Sequence, residues 1–176
     1  MHRRQLVAAI GGGLSLSLAG CTGFGNGPPD DWQTVRAWMD DAVSTVETAQ
    51  IAFDAWLEEP AEAGTDELVE VAAEADALLG EYDAEVAPLE AEIDEWGFTA
   101  TADDEEWDVD GRQLSDTLTG LWLVLNDVEV GYEWVEDANG DPDALDPDGE
   151  DRIENVFEMG DAVVAEARYK LTGSDG

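Results

Sequence analysis

Apolar residues recur along this chain at alternating intervals of three and four, and the recurrence falls into four blocks. That spacing collects them on one face of an α-helix. Trp32, Val35, Met39, Ala42, Val46, Ala49, Phe53 and Trp56 predict a helix over about 31–58, stopped by Glu58-Glu59-Pro60. Leu68, Ala72, Ala75, Leu79, Tyr82, Val86, Leu89, Ile93 and Trp96 predict a second over about 66–96, with Thr65 as N-cap, Asp66 and Glu67 in its first turn, and Gly97 at its end. Pro88 lies inside that block. It removes a backbone donor and crowds the carbonyl of Ala84, so a kink is expected near residues 84–88.

The third block, Leu114, Leu118, Leu121, Leu125, Val128, Tyr132 and Val135, predicts a helix over about 113–136. Trp122, Leu123 and Val124 add apolar surface on its other faces, as expected of a deeply buried helix or of one that also meets a partner. The fourth, Ile153, Phe157, Gly160, Val164, Ala167 and Leu171, predicts a helix over about 150–171, with Gly160 allowing close helix approach.

Four such stripes with a repeat near 3.5 predict an all-α fold, an up-down four-helix bundle, as one domain over 31–172. A long parallel coiled coil would leave the stripes half exposed. The connection at 97–112 is longer than bundles need, and Thr99, Thr101, Trp107 and Val109 leave room there for a small β-hairpin.

The start of the chain carries a different pattern. Arg3-Arg4 precedes a weakly apolar run from Leu6 to Ala19 that contains Gly11-Gly12-Gly13, and Leu18-Ala19-Gly20-Cys21 follows directly. The run is about 14 residues long, short of the roughly 20 that span a bilayer. Arg3 and Arg4 with this run resemble a twin-arginine signal peptide, and the last four residues match a lipobox. The resemblance implies that 1–20 are removed as a signal peptide, that Cys21 is lipidated, and that 21–30 form a flexible tether. Extended, its segment Thr22–Pro29 reaches about 30 Å at most. Cys21 is the only cysteine, so no intramolecular disulfide is available.

Charge narrows the setting further. The chain has 44 Asp and Glu against 7 Lys and Arg, a formal net charge of −37. Without Arg3 and Arg4 the basic residues are Arg36, Arg112, Arg152, Arg168 and Lys170. Carboxylates so placed repel one another at a Debye length of about 10 Å, near 0.1 M salt, and are screened at about 3 Å, near 1 M. Hydrophobic residues at 44% and seven tryptophans set the chain apart from acidic disordered segments. There is no basic patch to neutralise phosphates, so nucleic acid is not an expected partner. With its address motif, the acidity makes the chain look like a secreted lipoprotein of an extremely halophilic archaeon, a group that shares no common activity.

Little conventional chemistry is left. The single histidine, His2, lies in the signal, and Cys21 is committed to lipid. Neither an imidazole nor a thiolate then serves as base, nucleophile or metal ligand, and the Glu-x-x-His pairs of bundle di-iron sites cannot form. Ser44, Ser115 and Ser174 stand in no nucleophile motif, and no phosphate-cradling Gly-rich loop is present. No enzyme activity, no cofactor and no buried metal are expected. The segment Asp103–Asp110 is rich in carboxylates, and so is Asp137–Asp151. From Asp137 the spacing of Asp137, Asn139 and Asp141, continued by Asp143, Asp146 and Asp148, opens like an EF-hand, but Pro142 stands at its sixth position and Asp148 at its twelfth. A solvated acidic loop is the simpler reading of the same residues.

An up-down path starting at the tether sends the connections at 59–65 and 137–149 away from the membrane and brings 97–112 and the C-terminus back. Arg36, Trp107, Arg112, Arg168 and Lys170 then fall at a membrane-facing end, where basic and aromatic groups suit anionic headgroups. The expectation is a non-catalytic binding or structural lipoprotein, anchored to the outer face of the cell membrane through Cys21. A surface protein is its expected partner, met by the outer acidic loop or a face of the third helix. The alternative is a calcium- or small-ligand-binding sensor or accessory module of a transport system, using Asp137–Asp151 or a pocket among Trp32, Trp96 and Trp107.

Overall fold

A computed structural model describes residues 27–102, 105–145 and 149–173. Helix α1 spans Trp32–Glu58, and a single turn, α2, spans Pro60–Ala63. Helix α3 spans Asp66–Glu81, and the short α4 spans Glu90–Ile93. Strands β1 (Gly97–Ala102) and β2 (Glu105–Asp110) follow, then α5 (Gly111–Asp137) and α6 (Gly149–Thr172). The chain is mostly helical, and α1 packs on α3, α5 and α6 while α5 packs on α3 and α6.

The apolar stripes form one core. Trp32, Val35, Met39, Trp56, Leu68, Ala75, Val86, Ile93, Leu114, Leu121, Leu125, Ile153, Phe157 and Leu171 belong to a single buried cluster. An aromatic side chain of this size removes about 200 Å² from water, worth roughly 5 kcal/mol gross at 25 cal/mol/Å². The cost of ordering the chain offsets most of that sum.

The second predicted helix is not continuous to Trp96. At Tyr82 the hydrogen bonding changes to a π turn over Tyr82–Val86, where Ala87 N–H reaches the Tyr82 carbonyl, and then to a 3₁₀ turn over Ala87–Leu89. Pro88 is the cause. It has no N–H for the Ala84 carbonyl four residues back, and the wider turn removes the clash its ring would make. Helical bonding ends at Ile93, and Asp94 and Glu95 turn the chain into β1. Thr65 stands at the N-cap of α3, but its side chain makes no capping bond.

The mostly helical chain carries one small sheet, where the sequence left room for it: β1 and β2 pair antiparallel, with Phe98 opposite Val109 and Ala100 opposite Trp107. Alternation explains it. Phe98, Ala100, Trp107 and Val109 are buried, while Thr99, Thr101, Glu106 and Asp108 face outward. A two-stranded ribbon is marginal alone, and this one is held by the apolar face it lays on the helices.

Three indoles cross-link the elements. Trp38 Nε1 donates to the Leu78 carbonyl at 2.9 Å, joining α1 to α3. Trp56 Nε1 donates to the Gly140 carbonyl at 3.1 Å, joining the end of α1 to the turn after α5. Trp107 Nε1 donates to the Lys170 carbonyl at 3.0 Å, joining the hairpin to the last turn of α6. Each ring buries its apolar body and satisfies its one donor on a backbone carbonyl of another element. No helix among the described residues is long and apolar enough to cross a membrane.

Candidate functional site

A polar arrangement with a buried lysine lies where the hairpin meets the start of α5 and the end of α6. Asp110 caps α5, its Oδ1 accepting from the backbone N–H of Arg112 and of Gln113, both at 3.1 Å. The next residue must be glycine. A Cβ on Gly111 would stand 1.9 Å from the Ile93 carbonyl oxygen, and its N–H donates to the Trp96 carbonyl at 2.8 Å. This close backbone approach ties the end of α4 to the start of α5, which points Gln113 toward α6.

Lys170, the only lysine, is 1% exposed there. Its Nζ donates to Gln113 Oε1 at 2.7 Å and pairs with Glu166 Oε1 at 3.0 Å, with the Tyr169 ring centroid 5.4 Å away. Gln113 and Glu166, both open to solvent, cover the ammonium and give it two oxygen partners at the edge of the core. Gly173, with φ +73°, closes the helix, and a Cβ there would stand 2.8 Å from the Trp107 ring.

Burial corrects part of the sequence reading. Trp107 and Lys170 are interior groups and cannot face headgroups; the indole is 6% exposed. Arg168 is exposed but is paired with Glu47 of α1. Arg112 is exposed in the first turn of α5, and Arg36 is half-buried on α1. Phe98 packs edge-on against two of the three tryptophans considered for a pocket, 5.1 Å from the Trp32 ring and 6.3 Å from that of Trp96.

The acidic segment after α5 also departs from an ion loop. Asp137 is the last helical residue; Asn139 (φ 54°) and Gly140 (φ 74°) form a left-handed helix end in which Gly140 N–H returns to the Val135 carbonyl at 2.9 Å. Those conformations close a helix rather than wrap a cation. Asp141 follows, then a 3₁₀ turn over Pro142–Ala144 that contains Asp143. Asp146 and Asp148 lie outside the described residues, as do Arg3, Arg4 and Cys21. Among the described residues no three acidic, histidine or cysteine side chains are arranged to hold a metal ion.

The sequence reading gave neither the setting of Lys170 nor the cap at Asp110. Lys170 was read as a group of the membrane-facing end, and its burial was not foreseen because it lies one place before the apolar Leu171, in a turn whose polarity reads as solvent-facing. The cap at Asp110 was readable, since Asp-Gly directly before an apolar-periodic run is a helix-start signal.

Tyr82 and Asp127 have shifted acidities. Burial first, then the bond its hydroxyl donates to Glu90 Oε1 at 2.8 Å, pushes the Tyr82 phenol up. Partial burial raises the Asp127 carboxyl on α5. No described protein family matches the chain, and no curated protein or solved structure is detectably similar to it.

Proposed function

We propose that the chain is an exported lipoprotein, held by lipidated Cys21 on the outer face of a halophile's cell membrane, with a binding or structural role and no reaction of its own. The observation that carries this reading is the pairing of Arg3-Arg4 with Leu18-Ala19-Gly20-Cys21 across a short apolar run. The acidic composition supports the saline setting. The engaged state of Lys170, whose ammonium is taken up by Gln113 and Glu166, supports a role other than amine chemistry.

We read the body as an up-down four-helix bundle. Trp32 at the start of α1 touches Phe98, and Trp107 bonds to the last turn of α6, while Trp56 at the end of α1 bonds to Gly140. In this arrangement the hairpin, the start of α1 and the end of α6 share the tethered end. Arg112 and Arg36 are the basic groups left to favour an anionic surface, each adding about 1 kcal/mol where salt permits. The far turn around Gly140 and the outer face of α5 are the surfaces offered to a partner protein; Leu123 on that face is 51% exposed.

Expression of Cys21→Ser in a halophilic host tests the anchor. The variant is expected in the medium and the parent in the membrane fraction. Retention of the variant in the membrane fraction would overturn the lipoprotein reading.

A further inference from the structure

A groove of about 400 Å³ runs between α1 and α6. Its floor is apolar, made by the buried side chains of Val43 and Leu171. Asp40, Ser44 and Glu47 line the α1 side at intervals of four and three, which stacks them on one face of the helix. Arg168 and Thr172 line the α6 side, one turn apart, and the Arg168 guanidinium crosses to Glu47. Both members of that pair remain open to solvent, at 46% and 38%.

The charge of the molecule restricts what such a groove can hold. A lone anion must displace Glu47 from Arg168 and leave that carboxylate unpaired beside its own charge. A simple cation meets the same carboxylates as every salt cation does, and loses to molar salt. A solute carrying both signs and no net charge escapes both penalties. This groove sets a guanidinium and carboxylates at short range over an apolar floor, and its volume lies within the about 300–1,000 Å³ of small-molecule sites.

We infer that the α1–α6 groove binds a small zwitterion with one ammonium and one carboxylate. The carboxylate meets Arg168 in the bidentate geometry a guanidinium favours, and the ammonium lies between Asp40 and Glu47. The ligand inserts into the Arg168–Glu47 pair, so each protein charge exchanges one partner for another and none is stranded. An exposed pair contributes little to stability, which makes it inexpensive to open.

The inference rests on reading the protein as a non-catalytic binding module. Calorimetric titration of the purified full-length chain in molar NaCl tests it, with β-alanine as probe and propionate and ethylamine as its two halves. Saturable heat in the millimolar range is expected for β-alanine and none for either half. Arg168→Gln should weaken β-alanine at least tenfold with an unchanged circular dichroism spectrum. Glu47→Gln should let propionate bind, since it leaves the guanidinium unpaired. Absence of saturable β-alanine heat overturns the inference, as does equal binding of a half-molecule to the parent or undiminished binding to the Arg168 variant. Those results leave the Cys21→Ser fractionation untouched, so binding and anchoring fail separately.

Discussion

The indole N–H of Trp107 and the carbonyl of Lys170 are 63 residues apart in sequence and 3.0 Å apart in space. That bond fastens the hairpin to the end of α6. Replacing Trp107 with Phe keeps most of the buried ring and leaves the carbonyl without this donor, which costs about 1–3 kcal/mol. Thermal unfolding in molar salt should show the loss, and hydrogen exchange should show it concentrated in the β1 and β2 amides.

Lys170 separates packing from charge. Lys170→Met fills the same volume and frees Glu166 and Gln113 to return to water, so its stability should lie within about 1 kcal/mol of the parent. Lys170→Ala leaves a hole and should cost about 2–3 kcal/mol. Chemical denaturation of the two variants measures the difference; equal losses would show that the ammonium itself holds the site.

Glycines at three positions should behave differently. Gly111→Ala drives a methyl into the Ile93 carbonyl and should cost more than about 3 kcal/mol, because backbone must move. Gly131→Ala meets only the tip of the Phe53 ring, at 3.1 Å, and should cost less. Gly80→Ala, in open space within α3, should stabilise by about 0.5–1 kcal/mol through helix propensity. Melting temperatures are expected to rank Gly80→Ala above the parent and Gly111→Ala lowest.

Asp127 gives a pH signature. Its carboxyl is raised by burial above 3.8, so the folded chain holds this proton more tightly than the unfolded one. The group therefore destabilises the fold at neutral pH, and the penalty disappears as pH falls through the raised value toward 3.8. Asp127→Asn should be the more stable protein at pH 7, with the difference shrinking as pH falls toward 3.8 and gone below it. Parallel melts across that range check the sign.

Diluting salt to about 0.1 M lengthens the Debye screening distance to about 10 Å and exposes the carboxylates to one another. Loss of helical circular dichroism, recovered on returning to molar NaCl, is the expected outcome.

Much of this architecture was readable from local pattern. The stripe from Trp32 to Trp56 predicted α1 to within a residue of its observed ends, because one strongly periodic face leaves little choice of register. Pro88 announced the disturbance in the second helical block, though not that it would be a π turn followed by a 3₁₀ turn and an early end at Ile93. In the 97–112 connection, Thr99, Thr101, Trp107 and Val109 hinted at strand pairing. Their partners became certain only when Phe98 met Trp32.

By itself the sequence determined the number and phase of the long helices, the acidic composition and the Arg3-Arg4 to Cys21 pattern, since each depends on neighbours along the chain. The tertiary structure alone decided that Lys170 would be buried, that Phe98 would pack against Trp32 and Trp96, and that Glu47 would face Arg168. Those outcomes depend on which helix faces meet, and no single segment carries that information: the ammonium of Lys170 is buried because Gln113, 57 positions away, arrives to bond it.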